Sequence, residues 1–341
     1  MNLGKKYRIG IIPGDGIGAE VIASARTVLK TLTDISDAFD MEFVDLDAGE
    51  AAVIKYGDPF PKEVNEEIVR LDATLFGAAG GKNATAVIGG LRRGLQLFAK
   101  VCPIKAFPGI RSLQPNIDIL LVRENTEGLF SGAGYIHEDQ YVNLRVFTRH
   151  GMDRIIRFCF ELALKDRRKK VTFTQKDIVL RYTDLPMKEM FYEIAKKYPT
   201  IEADDIRVDA FAMDVVMNRG EFDIVLTENS NGDILSDMGA GLIGGLGMAP
   251  SGNFGESTAV FEPVHGSAPK HAGKNRANPI AAIMSAKMML EYLGEPSSAC
   301  QVEEAIKDVL LEGKARTYDL GGNSSTSEVA EAICNKMAEK G

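Results

Sequence analysis

The chain has 341 residues, 45% hydrophobic and 26% charged, with a formal net charge of -8 at pH 7. That length and balance describe a globular protein with a substantial core and, on length alone, about two domains. The acidic balance and the lack of a long basic run exclude a nucleic-acid footprint, although local clusters of arginine and lysine still permit anion binding.

Lys5 and Lys6 precede only a short apolar stretch, broken by Pro13, Gly14, Asp15 and Gly16, so it fails as a signal peptide or membrane span. Residues 7–12 read as a buried strand stopped by Pro13, and 18–32 as a helix with apolar residues at helical spacing. Strands at 41–46 and 73–77 alternate with helical segments, the pattern of an α/β layer with a largely parallel sheet. Farther on, 118–123 is a strand, 141–148 alternates polar and apolar residues like a half-exposed strand, and 151–168 is a helix. Buried strands at 171–174 and 224–227, a glycine-rich passage at 239–255 and helices at 280–293 and 327–340 complete the reading. Four widely spaced cysteines (Cys102, Cys159, Cys300, Cys334) form no CxxC pair, so reduced thiols and a cytoplasmic location are expected.

Three segments could carry chemistry. Gly14-Asp15-Gly16-Ile17-Gly18 lies at a strand-to-helix junction, but its spacing is GxGxG where a Rossmann fingerprint needs GxGxxG. It reads equally as a nucleotide contact or as a tight turn using glycine for positive φ. In Asn229-Ser230-Asn231-Gly232-Asp233-Ile234-Leu235-Ser236-Asp237, the two aspartates are four apart and share one face of a helix. Such a pair would welcome a hard divalent cation, with Asp209 as a third carboxylate; alternatively, the aspartates only favour a helix N-terminus. Glu262-Pro263-Val264-His265-Gly266-Ser267-Ala268-Pro269 reads as a loop in which His265 could meet a ligand, followed by Lys270, Arg276 and Asn278, suited to a phosphate and an adenine edge.

These segments, with Arg123-Glu124-Asn125-Thr126-Glu127-Gly128, Asn278-Pro279 and Asp319-Leu320-Gly321-Gly322, occur in the order seen in the isocitrate/3-isopropylmalate dehydrogenases. From about residue 7 to 335 the chain resembles that family of metal-dependent decarboxylating 2-hydroxyacid dehydrogenases. The resemblance implies an α/β fold that is not a Rossmann fold, with two domains and a cleft between them. Residues 1–99 plus 246–341 would form the large cofactor-binding domain. Residues 100–245 would form a small dimerisation domain with an exchanged arm near 135–150. Implied too are oxidation of a 3-substituted malate at C2 by NAD or NADP and decarboxylation with Mg²⁺ or Mn²⁺ as Lewis acid. By position, Asp233 and Asp237 match metal ligands, and Asp209 matches a ligand given by the partner subunit of a homodimer with shared active sites. Lys176 matches a lysine near the 2-hydroxyl, where a neighbouring cation would ease proton transfer. Arg92 and Arg123 match arginines that grip the malate carboxylates bidentately. Glu262, His265, Gly266, Ser267, Ala268, Lys270, His271, Asn278 and Tyr318 fall in the cofactor region.

The chain also departs from the family. Cys102 stands where a third carboxylate-binding arginine is expected, Phe130 where a tyrosine helps protonate the enol, and Ile178 where an asparagine meets the nicotinamide side. Ala84-Thr85-Ala86-Val87-Ile88-Gly89-Gly90, ahead of Arg92, is mostly apolar and should reject a carboxylate, so an isopropylmalate-like substituent is expected over isocitrate or homoisocitrate. Lys270, His271 and Tyr318 suggest NADP over NAD, but Gly322 replaces an arginine that would complete a 2′-phosphate site. Asp209, Asp233, Asp237 and Lys176 favour an enzyme over a non-catalytic regulatory subunit.

Overall fold

The computed structural model describes residues 5–36 and 38–340, which form two compact units. The first unit opens with strand β1 (Lys5–Gly14), helix α1 (Gly18–Ile35), β2 (Phe39–Asp45), α2 (Glu50–Tyr56), α3 (Lys62–Val69), β3 (Ala73–Ala78) and α4 (Ala84–Gly89). The chain then builds the second unit from β4 (Ala99–Lys105), β5 (Asp118–Glu124), β6 (Gly134–His137), β7 (Gln140–Asn143), α5 (Arg149–Lys165), β8 (Lys170–Gln175), α6 (Asp184–Ala195), β9 (Glu202–Arg207), α7 (Val208–Val216), β10 (Ile224–Thr227) and α8 (Asn229–Leu242). It returns to the first unit with β11 (Pro250–Phe254), β12 (Ala259–Pro263), α9 (Ile280–Leu293), α10 (Pro296–Glu312) and α11 (Thr326–Lys340).

In the first unit the strand order is β2-β1-β3-β12-β11, parallel except for β11 against β12. Val21, Ile22, Ala25, Val28, Leu29 and Leu32 recur at helical spacing on α1 and are all buried. Helix α9 is buried nearly all round, as its mostly apolar sequence requires. In the second unit the order is β4-β5-β10-β8-β9, with β4 antiparallel to β5 and the rest parallel. Its core holds an aromatic cluster in which Phe191 touches both Phe160 and Phe173. Thr148 caps α5 by accepting a hydrogen bond from the Gly151 amide at 2.9 Å.

Several expectations are corrected. The half-exposed strand expected over 141–148 ends at Asn143: Leu144 still donates to the Ala133 carbonyl in the hairpin register, but beyond it Val146 bridges to Gly128 instead. What forms instead is the short β6–β7 hairpin, with Tyr135, Ile136 and Tyr141 exposed. The glycine-rich passage conceals β11, where an added Cβ at Gly252 would lie 2.9 Å from the Phe261 ring. Residues 106–115, expected with 100–245, pack in the first unit. Glu262 and Pro263 end strand β12, and the loop begins after them. Among the described residues, no helix is long and apolar enough to cross a membrane.

Candidate active site

In the second unit, α8 brings Asp233 and Asp237 onto one face, one turn apart. Asp233 is exposed and ion-paired with Arg123, whose own side chain is only 1% exposed on β5. The Arg123 guanidinium also lies over the Phe130 ring, 4.8 Å from its centre. Partial desolvation pushes the Asp237 carboxyl above the usual carboxylate range, and the charge of Asp233 pushes it further, against the pull of Lys100 and Arg123. Helix α8 approaches the strands through glycines: an added Cβ on Gly232 would lie 2.8 Å from Arg123, and one on Gly239 2.3 Å from Ile104. The Glu228 carboxylate caps the start of the helix, accepting from the amides of Ser230 at 3.1 Å and Asn231 at 2.6 Å.

Lys176 follows β8, and its Nζ pairs with Asp209 Oδ1 at 2.8 Å at the start of α7. The hydrogen bond from Lys176, helped by the amides of Asp209 and Ala210, holds the Asp209 carboxyl below its usual range. The Lys176 amide in turn donates to Asp184 Oδ2 at 2.7 Å, and the buried Asp184 is paired with Arg145, which reaches Glu228 at 3.5 Å. One arginine therefore ties the lysine's loop to the cap of the aspartate helix. Asp209 does not join Asp233 and Asp237 within the chain, and no set of three His, Cys, Asp or Glu able to hold a metal occurs among the described residues.

In the first unit, Arg92 sits in a single π-helical turn, Gly90–Gly94, and pairs with Glu262 at 3.4 Å. Glu262 also accepts from Asn253 Nδ2 at 3.0 Å. Those three polar groups share a recess with the apolar side chains of Ile88, Leu91 and Val260. The Gly14–Gly18 segment is a tight turn. Gly14 and Gly16 have φ of 69° and 62°, the Ile17 amide donates to the Ser267 carbonyl at 2.8 Å, and Asp15 accepts from the amides of Glu50 and Gly80. A Cβ at Gly16 would fall 1.9 Å from the Ser267 carbonyl oxygen, so the turn and the 264–270 loop are locked together.

Within that loop His265 is held by Gly266 through Nδ1 at 3.0 Å, while its Nε2 is buried with no hydrogen-bond partner among the described residues. Burial lowers its pKa and favours the neutral ring. Gly266 is exposed, Ser267 buried, and Ala268 has φ of 37°, a position that strains any residue with a side chain. His271 stacks on Tyr318 at 5.6 Å, and the Arg276 guanidinium lies 5.2 Å from the same ring. Lys270 is exposed, its carbonyl accepting from Lys274. Asn278 accepts from the Ile280 amide, opening α9, and donates to Asp319 at 3.0 Å. At Gly322 a Cβ would lie 2.2 Å from the Arg316 carbonyl oxygen, so no arginine fits there without backbone movement.

Cys102 is buried on β4, Phe130 half-buried and Ile178 exposed. The sequence reading missed Lys100, Arg145, Asp184, Glu228 and Asn253. Only Lys100 carried a local signal, since it lies two residues from Cys102 and strand alternation puts both on one face.

The family model for isocitrate/isopropylmalate dehydrogenase matches residues 8–333. A 3-isopropylmalate dehydrogenase of Methanothermobacter thermautotrophicus is 45% identical over 98% of this chain and 100% of its own length. An isocitrate/homoisocitrate dehydrogenase of Thermus thermophilus is 44% identical over 97% of this chain and 98% of its own. Among solved structures, an isocitrate dehydrogenase from Methylococcus capsulatus superposes with a TM-score of 0.91 at 40% identity, covering 97% of this chain and 99% of that one. The chain therefore belongs to the isocitrate/isopropylmalate dehydrogenase family and has its fold.

Proposed function

We propose that the chain oxidises and decarboxylates a 3-substituted malate carrying an apolar, isopropyl-like group at C3, with NAD(P)⁺ and a divalent cation. The observation that carries this reading is the carboxylate pair on α8 beside the buried Arg123. Two hard oxygen donors, one of them reluctant to ionise next to the other, fit Mg²⁺ or Mn²⁺. Asp233 and Asp237 would hold the ion, with Asp209 of the partner subunit. Bound there, it supplies Lewis acidity at the 2-hydroxyl.

Lys176, its amide held by Asp184 and its Nζ beside Asp209, would accompany Asp209 to the shared site and take part there in moving the hydroxyl proton. Arg123 would offer its guanidinium to a substrate carboxylate, the role also proposed for Arg92. Glu262 steadies Arg92, and Ile88 supplies apolar surface to the recess that holds it. For the dinucleotide, the orphaned His265 Nε2, an acceptor in the neutral ring, and the Tyr318 ring beside His271 and Arg276 form a fitting acceptor and stacking set. Lys270 and Tyr318 incline the preference to NADP, although Gly322 removes one phosphate contact. A homodimer follows from Asp209, and the apolar β6–β7 hairpin supports it, since an isolated two-stranded ribbon is marginally stable.

The test is initial-rate reduction of NADP⁺ and NAD⁺, with and without Mg²⁺ or Mn²⁺, on 3-isopropylmalate, isocitrate, homoisocitrate, malate and tartrate. Metal-dependent turnover of 3-isopropylmalate supports the reading. Preference for isocitrate or homoisocitrate, the substrates in the Thermus relative's name, moves the substituent to a carboxylate. Cys102 and Phe130 favour one alternative, a non-catalytic subunit, and silence of the folded dimer across the panel selects it.

A further inference from the structure

Strand β4 pairs with β5 so that Lys100 stands directly opposite Arg123, and Cys102 opposite Leu121. Directly opposed residues of an antiparallel pair project from the same face with their Cβ atoms about 5 Å apart. Lys100, Cys102 and Arg123 therefore share one face, and it is the face covered by α8, whose Gly232 meets Arg123 and whose Gly239 meets Ile104. Lys100 is only 4% exposed, a placement rare for lysine unless a buried charge requires it. Asp237 feels both Lys100 and Arg123.

We propose that Lys100 is a substrate-binding cation of this chain, standing in for the arginine absent at position 102 and holding a malate carboxylate beside Arg123. The inference rests on the function proposed above. A divalent cation at Asp233 and Asp237 would offset the charge of that pair and let Lys100 and Arg123 attract a substrate carboxylate. Cys102 is small enough not to crowd its neighbour. The exchange replaces a planar fork by a point charge, which binds a carboxylate with less demand on its orientation.

The experiment compares the wild-type dimer with K100M, K100R and K100M/C102R. It measures calorimetric binding of 3-isopropylmalate in the presence of Mg²⁺, and initial rates with the same compound; circular dichroism checks the fold. K100M is expected to raise Kd and KM about 10- to 100-fold, the usual cost of losing one charge-assisted contact. The KM for the nicotinamide cofactor should stay within about twofold, because Lys100 has no part in holding it. K100R should remain near wild type, and C102R should recover most of the loss in the double variant, which a merely structural lysine would not allow. Unchanged substrate Kd in K100M, or a loss that neither arginine rescues, overturns the role of Lys100 while leaving the function standing. A wild-type dimer that neither binds nor oxidises 3-isopropylmalate overturns both.

Discussion

Phe130 holds the Arg123 guanidinium against its ring face, so the residue standing where a tyrosine is expected still has a task. Such a contact contributes about 0.5–1 kcal/mol, and a tyrosine ring would preserve it. F130Y is therefore expected to leave KM within about twofold while adding a proton donor that raises kcat about 10- to 100-fold. Steady-state kinetics with a solvent deuterium comparison checks this, and an unmoved kcat would mean that another group already protonates the enol. The cysteines make a second expectation at this scale. Cys102, Cys159 and Cys334 are buried, and burial pushes the Cys159 thiol far up, whereas Cys300 is exposed. Titration with a chromogenic disulfide should label Cys300 rapidly in the native protein and the other three only on unfolding.

Helix α8 was legible in the sequence because two aspartates four apart demand a helix if they are to act together. Its seating was not legible. Gly232 and Gly239 look like weak points in a helix until the strands beneath them are seen, where each admits a close neighbour. G232A should force α8 away from Arg123, costing on the order of 1–3 kcal/mol and weakening Mg²⁺ binding together with stability. Denaturant midpoints and a metal titration test it, and a more stable G232A with unchanged metal affinity would refute the tight seating. Strand β4 was missed for a different reason. Pro103 interrupts its pattern and argues locally against a strand, so the alternation that sets Lys100 on the face of Cys102 goes unread. The strand expected over 141–148 was overestimated in length for the converse reason: alternation persists to Thr148, but past Leu144 the backbone leaves the hairpin register and Val146 pairs with Gly128.

At the scale of the molecule, residues 106–115 eluded the sequence because segment membership depends on packing partners that lie far apart in the chain; the fold class was plain from strand–helix alternation. Stability over pH has two edges. Burial raises the Asp205 carboxyl, but hydrogen bonds from Lys188, Tyr192 and Gln175 outweigh it and hold the group below its usual range. A depressed carboxyl contributes stability above its unfolded value, about 3.9, and loses it as pH falls through the folded value. D205N should therefore be less stable at neutral pH and lose less on acidification. At the other edge, burial and then the hydrogen bond to Glu295 push Tyr7 up to about 12. The folded state thus keeps a proton that the unfolded chain releases near pH 10, and stability declines as pH rises from there towards 12. Y7F should flatten that alkaline decline in urea midpoints, and an unchanged slope would exclude Tyr7 as its source.

The pairing of β3 with β12 sets Thr74 beside Val260, joining the first quarter of the chain to its last. During synthesis, the N-terminal strands must therefore wait with an open edge until the ribosome has delivered β12 and the helices after it, whereas everything the second unit needs has emerged by residue 242. The two units are thus born in the reverse of their order along the chain. A chain truncated near residue 250 should hold a protease-resistant piece spanning about 98–242, with its leading residues still dependent on chaperones.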